Sequence, residues 1–156
     1  MNPVNAASLS SFAGVVVVAS LSGRILQHLH RPDPESNGGD INTEFWRTHR
    51  EIDNTLLNMS LYLPRHLRLP AGSSNPNTIF LNMSLQAAVI CLHQAAIFKG
   101  DKLLNPGEVV AESKARCLAA ATEISLIMKR IAHMDLSIVS DFISADCLFQ
   151  ESSDSV

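Results

Sequence analysis

The architecture of this chain is clearest in Phe45–Leu63, which reads FWRTHREIDNTLLNMSLYL. Side chains suited to a core return there at three- and four-residue steps, the spacing that builds one buried stripe on an α-helix. The stripe consists of Phe45, His49, Ile52, Leu56, Met59 and Leu63, and the opposite side carries Arg47, Glu51, Asn54 and Asn58. The pattern predicts an amphipathic helix from about Asn42 to Leu63, followed by a short helical turn as far as Leu69.

The preceding segment, about Val4 to His30, predicts a first helix. Its C-terminal end gathers basic side chains that complement the helix dipole, namely Arg24, His28, His30 and Arg31. The run Val15–Val18 is also compatible with a short buried strand, but the length of the segment favours a helix. The strictly apolar run Phe12–Ala19 is shorter than a membrane span, so a buried helix is preferred to a targeting segment.

A third helix is predicted from Asn75-Pro76, where an N-cap residue precedes proline at the first helical position. It should run to about Gly100. No residue from Asn77 to Phe98 carries a formal charge, which is unusual for a surface helix. We therefore expect a central helix that its neighbours cover on most sides.

The motif Asn105-Pro106-Gly107-Glu108 repeats this start signal and predicts a fourth helix to about His133. Its buried stripe would comprise Val110, Cys117, Ala120, Ile124, Ile127 and Ile131, with Glu112, Arg116, Glu123 and Arg130 facing water. A fifth helix is expected from about Leu136 to Phe149. The sequence thus predicts an all-α fold, an irregular bundle of about five helices, with residues 1–150 as one domain and 151–156 as a disordered tail.

Composition limits the classes of function. Hydrophobic residues make up 46% of the chain and charged residues 17%, which favours a packed core over disorder. A net charge of −3 provides no basic footprint for nucleic acid. The three cysteines, Cys91, Cys117 and Cys147, form no C-x-x-C pair, so buried thiols in a reducing compartment are expected. The sequence contains no phosphate loop, nucleophile elbow or zinc-helix motif, and we expect no enzyme.

Five basic residues form a first candidate site. Arg47 and Arg50 lie on the second helix, and Arg65, His66 and Arg68 lie on the turn that follows it. If the turn folds back beside the helix, they would make a patch for an acidic partner segment or a phosphate group. A solvated face is the simpler interpretation.

Histidines form the second group of candidates. His93 and Gln94, on the uncharged third helix, would line a pocket among the helices, although a hydrogen-bonded core histidine is the simpler interpretation of His93. His49, close to Arg50 and Asp53, has the surroundings of an acid–base group, but a surface ion network explains it equally well. His28 and His30 project on different sides of a helix and cannot share a metal ion.

Four blocks occur in a fixed order: FWxxHRxID at Phe45–Asp53, LP to LP at Leu63–Pro70, CLHxAA at Cys91–Ala96 and RCxAA at Arg116–Ala120. In this order they resemble the middle homology region of fungal binuclear zinc-cluster transcription factors, over about Ser20 to Leu148. The resemblance implies an all-helical regulatory region of a nuclear regulator. Such a region acts through protein or effector contacts and performs no catalysis.

The chain departs from that family in its cysteines. The family's zinc module needs six cysteines in a basic segment, so zinc and DNA binding would belong to a module missing here, and no cofactor is expected in this chain. The sequence is therefore expected to be a fragment, a truncated gene model or a remnant paralogue of a regulator. Its expected partners are proteins, in regulatory or oligomeric contacts, with no membrane. The alternatives are a helical oligomerisation scaffold and a small-molecule-sensing bundle derived from a truncated regulator.

Overall fold

The computed structural model describes residues 9–31, 43–70, 75–101 and 107–132. They form four α-helices, α1 (Ser11–His30), α2 (Glu44–Tyr62), α3 (Pro76–Gly100) and α4 (Gly107–Ile131), with a 3-10 turn at Arg65–Leu67 between α2 and α3. The all-α class is confirmed, and the run Val15–Val18 is helical. The expected fifth helix and the tail lie outside the described residues.

Helix α3 is the centre of the bundle and contacts α1, α2 and α4. Leu81 and Met83 are two residues apart, so they project about 200° apart around the helix, and both are buried. Leu81 packs in a core shared with α1 and α2, whereas Met83 packs against Ile127 and Ile131 of α4. A helix that is apolar on opposite sides needs cover on both, which confirms the expected central position.

The larger core lies between α1, α2 and α3. Its buried members are Val18, Leu21, Ile25, Ile52, Leu56, Met59, Leu63, Leu67, Leu81, Leu85, Ala88 and Leu92. The α2 members follow the predicted stripe, and the opposite side of α2 is exposed as expected. Leu67 brings the 3-10 turn into the same core, at 1% exposure, so the turn after Pro64 is fixed by packing.

The start of α3 follows its sequence signal. The Asn75 side chain accepts hydrogen bonds from the backbone N–H of Asn77 at 3.0 Å and of Thr78 at 3.4 Å, and Pro76 lies in the first turn. These bonds satisfy backbone donors that have no partner within the helix. In the corresponding signal of α4, Asn105 and Pro106 lie outside the described residues.

Two glycines allow the helices to approach α3 closely. A Cβ atom on Gly14 of α1 would lie 2.8 Å from Cδ2 of Leu81, and one on Gly100 would lie 2.7 Å from Cγ2 of Val110 in α4. Both distances are shorter than carbon atoms tolerate. Glycine therefore sets the spacing of α1 from α3 and of α3 from α4 at these two points.

By length and composition alone, α1 and α3 are each apolar enough to cross a membrane. The core helix of a bundle meets the same criteria, as does a signal sequence near an N-terminus. In α3 the buried residues face three neighbouring helices, which accounts for its composition without a membrane.

Candidate functional site

A polar network joins α2, α3 and α4 at one point. Nε2 of His93 lies 3.2 Å from Oδ1 of Asp53, and the Arg116 guanidinium donates to the same oxygen at 2.5 Å. On the other side of the ring, Nδ1 of His93 lies 3.3 Å from Oγ of Ser113. His93 and Ser113 are each 3% exposed, so these contacts are sheltered from water.

The ionised Asp53 fixes the direction of its hydrogen bond with His93. An ionised Asp53 can only accept, so Nε2 of His93 carries the hydrogen and donates to it. On the other side of the ring, the Ser113 hydroxyl can donate to Nδ1 or accept from it. Arg116 Nε also lies 3.4 Å from Nε2, but a nitrogen that donates to Asp53 cannot accept there. The charge-assisted bond from Arg116 to Asp53 is therefore the dominant contact of the guanidinium.

Asp53 is held ionised. Burial by itself raises the pKa of this carboxyl, but hydrogen bonds from His93 and Arg116, together with the charges of both, outweigh burial and lower the pKa to about 2. The side chains of Asp53 and Arg116 are 23% and 32% exposed, so water screens part of their attraction. The pair holds α2 and α4 together more weakly than a fully buried ion pair would.

Rings extend the network towards α1. His28 stacks on Phe45 with ring centroids 4.4 Å apart, and His49 lies edge-on to Trp46 at 5.7 Å and to His93 at 5.3 Å. Among the described residues, His28 Nε2 and His49 Nδ1 have no hydrogen-bond partner. Burial is the main cause that lowers the pKa of both, to about 4 for His49, and nearby positive groups add to it. Both rings are therefore neutral near pH 7.

Three expectations are wrong in this region. His28 does not place positive charge at the end of α1, because it is a buried ring with a lowered pKa. His49 belongs to no surface ion network, because it is only 6% exposed. Arg116 does not simply face water, because it reaches across to Asp53. In each case the side chain lies at a helix–helix contact that the sequence of its own helix does not reveal.

The order Ser113–His93–Asp53 has the connectivity of a hydrolase triad, but its surroundings do not suit catalysis. A nucleophilic serine must be open to substrate and face hydrogen-bond donors that stabilise an oxyanion. Ser113 is 3% exposed in the second turn of α4, where backbone N–H groups are bonded along the helix. Asp53 is also shared with Arg116. The network therefore has a structural role, connecting α2, α3 and α4.

The structure separates the basic residues that were predicted to form one patch. Arg47 and Arg50 are exposed in the first two turns of α2, whereas Arg65, His66 and Arg68 follow its C-terminal end. At about 1.5 Å of rise per residue, the rest of α2 keeps the two groups roughly 18 Å apart. The turn does not fold back beside the start of the helix.

Two members of that set have contacts of their own. Arg68 donates from Nε to the backbone oxygen of Leu63 at 2.7 Å, and its guanidinium also donates to that of Leu61. These carbonyls end α2 and lack partners within the helix, so Arg68 caps it. His66 Nε2 lies 3.0 Å from the backbone oxygen of Leu9, linking the turn to the start of α1.

A groove with a volume of about 560 Å³ lies between α2 and α4, with α3 as its floor. Its walls and floor include Leu57, Ser60, Val89, Ala115, Leu118 and Ala119. The edges are apolar and open, since Leu57 is 39% and Leu118 is 71% exposed. Arg116 lines the groove and also bonds to Asp53, so the groove and the network share one side chain.

His93 and Gln94 do not line this groove. His93 is enclosed in the network, and Gln94, the next residue on α3, is exposed. A hydrogen-bonded core histidine is thus the interpretation that the contacts of His93 support.

The cysteines divide between surface and core. Cys91 is exposed, so the expectation of a buried thiol is wrong there, while Cys117 is half-buried. Cys117 Sγ lies 3.8 Å from the backbone oxygen of Ile90. Burial, with a smaller effect of Cys91, raises the pKa of the Cys117 thiol, which therefore stays protonated and weakly nucleophilic. Cys147 lies outside the described residues.

The network collects residues from three of the sequence blocks. Asp53 closes the first block, His93 lies in the third, and Arg116 opens the fourth. The ion pair and Ser113 were not predicted, although one signal for them was present. Each of the three blocks places a polar or charged residue beside a strictly apolar stripe, a pattern that suggests polar contacts between helices.

Comparison with known proteins finds relatives of one kind. The chain is 31% identical over 131 residues to an azaphilone cluster-specific transcription factor of Aspergillus niger. It is 27% identical over 141 residues to a depudecin biosynthesis cluster-specific transcription activator of Fusarium langsethiae, and 29% identical over 120 residues to a pigment biosynthesis transcriptional activator of Monascus ruber. These matches cover 80%, 90% and 75% of this chain. This chain is homologous to fungal pathway-specific transcription factors.

The resemblance to a regulatory region of fungal zinc-cluster transcription factors is confirmed by these relatives. The chain spans only about a quarter of their length, between 21% and 26% for the three proteins above. No protein-family model matches the chain, and no solved structure matches it significantly.

Proposed function

We propose that this chain is the regulatory region of a fungal transcription factor and controls an attached DNA-binding module through contacts with protein. Homology to transcription activators across most of the chain carries the proposal. The region would act in the nucleus, with no reaction of its own. Contact with DNA would come from a zinc module elsewhere in the longer regulator, because this chain is acidic overall and has only three cysteines.

The groove between α2 and α4 is the surface we assign to these contacts. Its edge residues Leu57 and Leu118 expose apolar area to solvent, which is the usual mark of a contact surface. An open groove suits a helix better than a small molecule, because small ligands are held in cavities that enclose most of their surface. Arg116 connects occupancy of the groove to the Asp53 pair, and so to the packing of α2 against α4.

A reporter assay tests this assignment. The chain is fused to a heterologous DNA-binding module and an activation segment, and transcription of a reporter is measured in fungal cells. Leu57→Asp should change reporter output severalfold, because it places a charge on the groove edge. Leu26→Asp is the matched control, since Leu26 on α1 is 36% exposed against 39% for Leu57 and lies away from the groove. Equal output from both variants, at equal protein levels, would exclude the groove as the regulatory surface.

A further inference from the structure

We propose that Cys91 of α3 and Cys117 of α4 form a modification site, a thiol pair that a hydroperoxide oxidises to a disulfide between the two helices. Both cysteines are reduced in this structure. The pair lies outside the α2–α4 groove, whose lining contains neither residue, so the inference does not depend on the proposed function. It rests on the register of α3 against α4, on the position of the Cys117 sulfur and on the accessibility of Cys91.

The register of the two helices places the cysteines at the same level. His93 of α3 contacts Ser113 of α4, and Met83 shares a core with Ile127, so α3 and α4 run antiparallel. A residue four positions after Ser113 therefore lies level with residues two or three positions before His93. Those are the positions of the two cysteines and of Ile90.

The Cys117 sulfur lies close to the backbone of Cys91. Its Sγ is 3.8 Å from the backbone oxygen of Ile90, the residue that precedes Cys91. A planar trans peptide holds a carbonyl oxygen about 2.8 Å from the next Cα atom, so Sγ of Cys117 is at most about 6.6 Å from Cα of Cys91. The same distance within a disulfide is about 4 Å, and rotation of a cysteine side chain moves its sulfur by up to about 3 Å. The remaining separation is therefore within the reach of side-chain rotation.

Packing and charge both indicate that the two sulfurs are neighbours. The α4 surface on either side of Cys117 consists of small residues, Ser113 and Ala120, each 3% exposed, which lets the α3 backbone approach. Burial raises the pKa of the Cys117 thiol, and the charge of Cys91 raises it further. One ionisable group affects another in this way only over a few ångströms.

The exposed Cys91 is the thiol that reacts first, because Cys117 is half-buried and its raised pKa keeps it protonated. The Cys91 thiolate attacks one oxygen of hydrogen peroxide and the O–O bond breaks. Cys91 becomes a sulfenic acid, and the other oxygen leaves as water with the proton that the thiol released. The Cys117 sulfur then attacks the Cys91 sulfur, the S–O bond breaks, and a second water leaves with the Cys117 proton. The two thiols lose two electrons, and the peroxide gains them.

The disulfide would be a transient modification. A reducing compartment keeps such thiols reduced, and small thiols reopen the bond by exchange once the peroxide is removed. While it lasts, the bond fixes α4 to α3 at the residue after Arg116, beside the polar network.

Oxidation of the full chain tests the proposal. The chain carries Cys147→Ser, which leaves only the proposed pair, and is treated with hydrogen peroxide at low protein concentration. Its intact mass should fall by about 2 Da as two hydrogen atoms are lost, and dithiothreitol should restore it. After alkylation, trypsin should release residues 69–99 linked to residues 117–129.

The matched control moves the second thiol to another side of α4. Cys117→Ala combined with Ala119→Cys keeps two cysteines at a similar separation in sequence, but Ala119 is exposed and lines the groove. Both proteins are oxidised with dimedone present, which traps the Cys91 sulfenic acid before a thiol reaches it. The ratio of disulfide to dimedone adduct should be at least about tenfold higher for the original pair, because proximity raises the local thiol concentration. In urea this difference should disappear.

Equal ratios for the two folded proteins would overturn the proposal. So would disulfides formed only between molecules, or oxidation of Cys91 to a sulfinic acid while Cys117 keeps its thiol. If the relocated cysteine prevents folding, the original pair is compared with itself in urea. A ratio that does not fall on unfolding would then refute the pairing.

Discussion

Replacing His49 with phenylalanine should remove much of the acid sensitivity of this fold. The folded protein holds His49 neutral, because the ring is 6% exposed between Phe45, Trp46 and His93. The unfolded chain binds a proton there near the ordinary pKa of histidine. Phenylalanine keeps a ring of similar shape and removes the group that titrates. It also removes a ring nitrogen that has no partner among the described residues.

The size of the effect follows from the two pKa values. The pKa of His49 is 6.5 in the unfolded reference and about 4 in the folded protein. Acid therefore protonates the unfolded chain first, so the stabilisation is complete above about pH 6.5 and is lost as the pH falls towards about 4. At about pH 5 the loss is about 2 kcal/mol. The stabilisation from Asp53, whose pKa falls from 3.8 to about 2 on folding, is still almost complete at about pH 5, so Asp53 adds almost nothing to this loss.

Urea unfolding followed by circular dichroism measures this difference. Wild type should lose about 2 kcal/mol or more between about pH 7.5 and pH 5, whereas His49→Phe should lose only the part that His28 contributes. His30→Phe, at an exposed histidine on α1, is the control and should follow wild type. If wild type and His49→Phe lost stability in parallel, the buried neutral state of His49 would be refuted.

Three other changes test separate parts of the structure by thermal or urea unfolding. Asp53→Asn should lower the free energy of unfolding by about 1–3 kcal/mol at neutral pH, because Arg116 loses its charged partner. It should also reduce the loss of stability that wild type shows between about pH 4 and pH 2. An unchanged loss of stability in that pH range would count against the pair. Gly14→Ala should destabilise by about 1–3 kcal/mol through contact with Leu81, while Gly23→Ala, with open space in the same helix, should stabilise by roughly 0.5–1 kcal/mol. Leu92→Ala, at 0% exposure, should lower stability by about 2–5 kcal/mol, against less than about 0.5 kcal/mol for Leu61→Ala at 58% exposure.

Local sequence signals located the helices well because helix ends depend on near neighbours. Asn75-Pro76 marks the observed start of α3, and Pro64 follows the observed end of α2. The same kind of signal could not show that Arg68 caps α2, since that contact depends on the path of the turn. The basic patch stays a prediction whose members the structure places at opposite ends of α2.

Periodicity along each helix determined which side of that helix is buried, because three- and four-residue spacing fixes direction around a single axis. It therefore predicted the all-α class, and the uncharged run Asn77–Phe98 predicted the central position of α3. Only the tertiary structure decided which buried sides meet. The pairing of Asp53 with Arg116 across 63 positions, the neutral state of His49 and the groove between α2 and α4 all depend on the relative placement of separate helices. Hydrogen bonds and burial act through space over a few ångströms, and no local spacing rule records which distant residues come within that range.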